Sequence, residues 1–530
     1  MGVTHRGASP TENVSLHEYN VSTGGIMRLN IKDIATACNG QIIGQKEEIY
    51  INWISTDSRS IKPLVAELPE APERFYSITE GILPRIRDVE GSITCAEGTL
   101  FVPIVGERFD GHDYIQMAAQ NEAVCALSEK EIDVGIPLIL VKSTRRALMD
   151  LAGYYRRLFD IKVVAITGSA GKTTTKDMIY HVLSRKYKTK KTIGNFNNDI
   201  GLPLSIFQLE PSDEALVLEM GMNHAGEIHE LSLTGAPDIA VITHIGDAHI
   251  ENFENRTGIL HAKLEIVDGL APNGVVVLNG DDPLLTSEIA NEKVKPFNKK
   301  VATPFCESNF LANENNNVLY PSSKNILKAE PMGLQKTCCR FNWKGQEINI
   351  TVPVPGAHMV MNAFLAVAVG VEMGISPNEI TLGFEDFAPP EGRLSVETAN
   401  DMVIINDVYN ANPAAMKEAI KVLHSPETAK HTRRVAILGD MNELGHVAKE
   451  RHFEVGEFAN ESGVDLLVAI GELSKHIYDG FNNPEKSLYF KTVDEFLSQL
   501  KEVLFPGDII LVKASRGMTF ENIVNTILKE

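Results

Sequence analysis

From residue 161 onward, short apolar runs alternate with longer stretches in which apolar positions recur every three or four residues. The runs at 161–167, 215–219, 238–243 and 274–278 predict strands, and helices are predicted from 172, from 226 and over 257–270. Strands separated by helices cannot pair as hairpins, so this pattern predicts a parallel sheet with helices on both faces and ligands beyond the strand C-termini. Between 285 and 352 the chain turns polar and β-like, chiefly over 333–354, before a helix at 358–373. A new unit is expected near Pro389-Pro390-Glu391-Gly392, with strands at 402–406, 433–438, 465–470 and 508–512 and helices at 413–424, 447–462 and 494–503. That is a second doubly wound, Rossmann-like α/β domain.

Upstream, short runs at 41–43, 100–104 and 138–141 between helical patterns suit a small α/β domain, interrupted by a Pro- and Glu-containing insertion at 64–97. Residues 1–26 are rich in Ser, Thr, Gly and Asn without periodicity and read as a disordered tail, with Met27 as an alternative start. The expected division is therefore a tail over 1–26, a first domain over 27–155, a central domain over 156–389 and a last domain over 390–530.

The first strand of the central unit runs into Thr167-Gly168-Ser169-Ala170-Gly171-Lys172-Thr173-Thr174. Glycines let backbone N–H groups turn toward phosphate oxygens, Lys172 supplies a point charge, and the Thr173 hydroxyl can hold Mg²⁺ at a helix start. The usual phosphate loop has glycine six residues before its lysine, where this chain has Ile166; its first glycine comes only four before. The loop is a shortened form of a nucleoside triphosphate cradle.

Other strand ends add polar groups. Glu219, His244 and His249 follow two neighbouring apolar runs and suit Mg²⁺ and phosphate contacts, whereas either type alone reads equally well as a solvated loop residue. Lys263, in a helical Ala-Lys-Leu-Glu-Ile stretch, reads by itself as an exposed, ion-paired lysine. The segment 195–203 carries Asn195, Asn197 and Asn198 with Gly201 and Pro203, as a substrate-reading loop would. In the last domain, Asn412-Pro413 is a helix cap followed by proline at the first helical position, leaving Asp407, Tyr409 and Asn410 for ligands. Asp440 and Glu443 at a second strand end, and Lys513, Ser515 and Arg516 at a third, are expected to be exposed together and to suit a zwitterionic amino acid or peptide.

Composition narrows the function classes. With 50 Lys+Arg against 70 Asp+Glu the formal charge of −20 opposes broad binding to nucleic acid or anionic membrane, so a phosphate site must be local. The six cysteines are scattered without a CxxC pair and read as reduced thiols, not as metal ligands or disulfides. Without a long apolar run or a signal-type N-terminus, a cytoplasmic location is expected.

Taken in order, the shortened phosphate loop, the 195–203 segment, Glu219, Asp247-Ala-His249, Ala262-Lys263, the 358–362 segment, Gly392-Arg393 and Asp407 resemble the ATP-dependent Mur ligases of peptidoglycan synthesis over roughly 27–530. Tyr409-Asn-Ala-Asn-Pro413, residues 439–445 and Ser515-Arg-Gly-Met518 look most like the member that adds D-alanyl-D-alanine. The resemblance implies a first domain that holds the UDP end of UDP-N-acetylmuramoyl-tripeptide, through Ser55, Asp57, Ser58 and Arg59 and the motif 106–112. It implies a central domain for ATP with two Mg²⁺, a last domain that brings the dipeptide, and a monomer. Thr173, Glu219, His249 and a carbamylated Lys263 would be the metal ligands, which reverses the bland reading of that lysine. Lys172 and Arg393 would neutralise phosphate charge, His358 and Asn362 would lie near adenine, and Asp407 would meet ribose. The family usually has asparagine where this chain has Met359. Alternatives are a Mur-type or folylpolyglutamate-synthase-like ligase that adds a single amino acid, and a nucleotide-binding scaffold without catalysis.

Overall fold

The computed structural model describes residues 27–44, 49–61, 98–106, 109–297, 317–423 and 433–529. The tail 1–26 and the insertion 64–97 lie outside them.

Val163 to Ile166 are fully buried, and an apolar run buried on both faces forms a central parallel strand. This strand, Lys162–Thr167, sits inside an all-parallel sheet whose order is Val318–Leu319, Val275–Leu278, Ile239–Ile242, Lys162–Thr167, Ala215–Glu219, Thr189–Lys191. The chain leaves Lys162–Thr167 for the far edge and returns to both of its sides, so the crevice at its C-terminal end is the topological switch point. Register then fixes the neighbours: Glu219 pairs with Ile166 on one side and Ile242 with Thr167 on the other.

The helix Lys172–Leu183 starts directly after the phosphate loop and packs on helices Ala357–Glu372 and Pro377–Asp386. Gly370 and Gly383 allow the close approach, because a Cβ on them would lie 2.7 Å from Val182 Cγ1 and 2.8 Å from Val182 Cα, respectively. Helix Ala357–Glu372 is braced in turn by a three-stranded antiparallel sheet, Ile326–Met332, Lys336–Trp343 and Gln346–Val352, with Phe341 stacked on Phe364 at 4.7 Å.

In the last domain the sheet order is Ser395–Ala399, Met402–Asn406, Asp508–Lys513, Arg433–Gly439, Leu466–Ile470, Ser487–Phe490, parallel except for the first pair. The first domain has a five-stranded mixed sheet, Gln41–Ile43, Leu138–Leu140, Ala123–Ser128, Thr99–Phe101, Trp53–Ser55. Its boundary with the central unit, expected after residue 155, falls inside the helix Thr144–Arg157, which packs on Ile31–Ala37 and also on Gly201–Ile206 and Glu227–Gly235. Buried Arg156 reinforces that junction by donating to the carbonyls of Phe159, Ile161 and Gly235.

Three expectations are corrected. The helix expected over 257–270 is helical from Arg256 to Leu264 and closes as a 3₁₀ turn to Val267; Gly269 then passes so close to the Ser232 carbonyl that no side chain fits. The helix expected over 494–503 is two short helices, Val493–Leu497 and Leu500–Val503, broken where the Ser498 hydroxyl turns back to the Glu495 carbonyl. Gly201 and Pro203 are not loop residues but open the helix Gly201–Ile206. The described cysteines Cys38, Cys125, Cys338 and Cys339 are free, and burial pushes the thiols of Cys38, Cys125 and Cys339 up to about 12. No helix among the described residues is long and apolar enough to cross a membrane.

Gly383→Ala is expected to destabilise the protein by about 1–3 kcal/mol through forced separation of two packed helices, measurable as a lower urea midpoint with an unchanged m value.

Candidate active site

The phosphate loop is held by its neighbours before any ligand is considered. Ser169 N–H donates to the His244 carbonyl at 2.7 Å, and Thr243 Oγ1 donates to the Ala170 carbonyl at 2.5 Å. Gly168 lies at φ 150° with its Cα directly against Thr243 Oγ1, where a Cβ has no room. Gly171, at φ 79°, faces the side chain of Asn362, whose Oδ1 would be 2.6 Å from an added Cβ. Asn362 thus sits against the loop, and its Nδ2 donates to Met359 Sδ at 3.7 Å, so the departure at 359 is absorbed in a buried contact. The side chain of His358 lies outside the described residues.

Lys172 Nζ folds over the loop onto the Gly168 carbonyl at 2.9 Å; burial lowers its pKa, against the pull of Glu219. Thr173 Oγ1 accepts a hydrogen bond from Arg393 Nη2 of the last domain at 3.0 Å. Glu219 is buried at its strand end: its Oε1 accepts from Asn197 Nδ2 at 2.9 Å, whereas its Oε2 has no hydrogen-bond partner among the described residues. Lys176, one turn along the helix, lies 3.8 Å from that oxygen.

Lys263 corrects the exposed, ion-paired reading: it is 1 % exposed and makes no ion pair among the described residues. Burial, reinforced by the positive charge of Lys172, holds its pKa well below the ordinary lysine value. His249 lies at the interface with the last domain, its Nδ1 2.7 Å from Glu443 Oε2. His244 turns instead to Asp282 at 2.7 Å.

Whether these residues fit a metal can be judged from the donors. Among the described residues no three His, Cys, Asp or Glu side chains converge to hold an ion by themselves. Mg²⁺ is commonly held by one or two carboxylates plus substrate phosphates and water, so a hydroxyl on the phosphate loop and a buried carboxylate with an oxygen that accepts no hydrogen bond suit it.

The remaining expected residues divide. Asn195 is exposed on its loop, while Asn198 serves structure, its Oδ1 accepting from Gly201 N–H at 2.8 Å to start the following helix. Tyr409 lies between two guanidinium groups, with Arg393 Cζ 3.9 Å and Arg516 Cζ 4.8 Å from its ring centroid. Asn410 is exposed, and Asn412 caps the following helix through Ala415 N–H at 2.9 Å. The expected exposure of Asp440, Lys513 and Ser515 is wrong: all three are buried because they bind within the domain. Asp440 accepts from the Ser474 N–H and hydroxyl, Ser515 Oγ accepts from Asn442 N–H, and Lys513 donates to Asp407 Oδ2 at 2.5 Å and to the Asn410 carbonyl. In the first domain, Ser55 Oγ, the Asp57–Arg59 fork and Ser58 form one turn, with Arg59 largely exposed beyond it. Glu107 and Arg108 of the neighbouring motif lie outside the described residues.

Sequence reasoning missed Lys176, Lys191 and Asp177. With Thr173, Thr192, Arg393 and Tyr409 they line a cleft of about 240 Å³ between the central and last domains. The signal available was Lys176 itself, one helical turn after Lys172 on a helix whose first turn serves the phosphate loop.

A shortened phosphate loop whose threonine is met by an arginine from a separate α/β domain defines an ATP-dependent ligase. The chain belongs to the Mur ligase family: residues 166–370 match the Mur ligase middle domain, and 392–516 match the Mur ligase glutamate ligase domain. It is 34 % identical to the UDP-N-acetylmuramoyl-tripeptide--D-alanyl-D-alanine ligase of Bacillus subtilis, covering 89 % of this chain and 98 % of that one. It is 33 % identical to the Escherichia coli ligase of the same name, over 81 % and 91 % of the two chains. Among solved structures it resembles a MurF from Acinetobacter baumannii (28 % identity, TM-score 0.80, 95 % and 100 % covered). It also resembles the Thermotoga maritima MurF ligase in complex with ADP (28 %, TM-score 0.70, 82 % and 95 %).

Removing the ring that supports Arg393 has a defined expected cost. Tyr409→Ala should lower kcat by about 2- to 30-fold, the worth of a cation–π contact, while Tyr409→Phe, which keeps the ring face, stays near the unaltered enzyme.

Proposed function

We propose that this chain joins D-alanyl-D-alanine to UDP-N-acetylmuramoyl-tripeptide with cleavage of ATP to ADP and phosphate, as the names of its relatives describe for them. The observation that carries the reading is the contact between Arg393 and Thr173, which brings the last domain onto the phosphate loop. An arginine brought from a second domain meets the charge on the phosphoryl group in flight, and the same domain can hold an acceptor beside it.

The chemistry follows from leaving groups. A carboxylate cannot expel oxide or hydroxide readily at neutral pH, so its oxygen first attacks the γ-phosphorus, forming an O–P bond as the bond to ADP breaks. The dipeptide amine then attacks the acyl carbon; the C–N bond forms, phosphate leaves with the C–O electron pair, and the amine loses a proton. Lys172 and Arg393 offset the charge that gathers on the transferred phosphoryl group. Magnesium, held by Thr173 and Glu219 with His249 nearby, would screen phosphate charge further. Docking of the last domain shields the acyl phosphate from water.

Lys263 supports the same reading. Burial lowers its pKa and so favours the neutral, nucleophilic amine, which can add to CO₂ with loss of a proton and become a carbamate anion. That change sets a negative charge beside Lys172 where a neutral amine stood. In the first domain, Arg59 with Asp57 and Ser58 provides an exposed, oriented guanidinium for the UDP phosphates. The cleft at Lys176, Lys191, Asp177 and Tyr409 offers both signs of charge to a zwitterionic dipeptide.

ADP release should require both UDP-N-acetylmuramoyl-tripeptide and D-alanyl-D-alanine; release with free D-alanine and none with the dipeptide overturns the assignment. Lys263→Ala should lower turnover by about 100-fold or more without restoration by bicarbonate.

A further inference from the structure

Glu443 makes a contact that the reaction as described does not use. Its Oε2 lies 2.7 Å from Nδ1 of His249, across the boundary between the last and central domains. Both residues occupy left-handed backbone, His249 at φ 63° and Glu443 at φ 64°. Such conformations cost a side-chain-bearing residue about 1 kcal/mol or more, and they persist where the surroundings fix them.

The surroundings do so from both sides. Asp247, two residues before His249, is buried and accepts both guanidinium bonds of Arg256, at 2.5 and 2.7 Å, while Arg451 of the last domain approaches it to 3.3 Å. On the other side, Met441 N–H donates to His452 Nε2 and Asn442 N–H to Ser515 Oγ, both at 2.9 Å. The next turn brings Gly445, at φ 48°, against Glu251, where an added Cβ would come within 2.7 Å of Glu251 Cβ. Two independently braced loops therefore present one carboxylate to one ring nitrogen.

We propose that Glu443 is a positioning residue for a metal-binding His249: its carboxylate stands 2.7 Å from Nδ1 without the alignment of a hydrogen bond in this structure, and a turn of the ring lets it accept from Nδ1–H and leaves the Nε2 lone pair for the metal. A carboxylate behind a ligating imidazole fixes its tautomer and ring plane and raises its basicity. Here the carboxylate comes from another domain, so the metal site is complete only while the last domain is docked. The inference rests on reading His249 as a metal ligand.

The test is Mn²⁺ binding to the full chain in the presence of ADP, followed by the electron paramagnetic resonance signal of free Mn²⁺. Glu443→Ala should weaken the His249-dependent site about 10- to 100-fold, as loss of an outer partner does elsewhere. Glu443→Gln, whose amide oxygen can accept the same bond, should stay within a few-fold of the unaltered protein. Glu443→Ala combined with His249→Ala should lose no more than His249→Ala alone. Unchanged Mn²⁺ affinity in Glu443→Ala overturns the proposal, as does unchanged affinity in His249→Ala, which removes the ligand it rests on. No acceptor substrate is present, so the outcome is independent of whether ADP release depends on tripeptide and dipeptide.

Discussion

The site depends on one steric constraint: the turn after the central strand must pass so close to the next strand that Gly168 touches the Thr243 hydroxyl. Because no side chain intervenes, the loop is tied to the carbonyl of His244 on one face while the Thr243 hydroxyl holds the Ala170 carbonyl. The loop is then a rigid concavity fastened to the strand that leads to His249. Register with the other neighbouring strand sets Glu219 beside it. Parallel pairing thus delivers the carboxylate and the imidazole to the same end of the sheet, with no pairing between their own side chains.

From this fixed point the other domains gain their meaning. Helix Ala357–Glu372 places Asn362 against Gly171, and the linker before the last sheet places Arg393 on Thr173. Tyr409 keeps that guanidinium in place, and the Glu443 loop closes from the other side. Charge is concentrated where burial makes it consequential: Lys172 and Arg393 are cations, whereas Glu219 and Glu443 are the acidic groups felt by Lys172. A triphosphate is an anion that those two cations can meet directly.

Much of this was legible because local sequence and global fold agree. Apolar runs such as 163–166 and 215–218 become buried parallel strands, and the shortened loop is readable from Gly168, Gly171, Lys172 and Thr173 alone. What escaped depends on distant partners. Lys263 looks exposed in a helical stretch and is buried, its helix packed on Glu227–Gly235 and Glu288–Val294; Asp440, Lys513 and Ser515 look available and are consumed by Ser474, Asp407 and Asn442. A polar residue at a strand end announces that a partner exists, not whether that partner is substrate or the chain itself. The cleft at Lys176 and Lys191 was illegible for a related reason, since four of its ten lining residues come from about 200 positions away.

The helix Thr144–Arg157 has a mechanical consequence. It packs on helix Ile31–Ala37 of the first domain and on two helices of the central one at once, and on the central side Tyr155 donates to the Leu209 carbonyl at 2.8 Å and Arg156 to those of Ile161 and Gly235. A helix shared by two units is a weld between them. The last domain is joined on differently, through the short connection from Phe387 to Leu394, where Gly392 and Leu394 sit in left-handed backbone at φ 71° and 57°. The enzyme is in that sense two jaws, one made of two welded domains and one that meets it through Arg393 on Thr173.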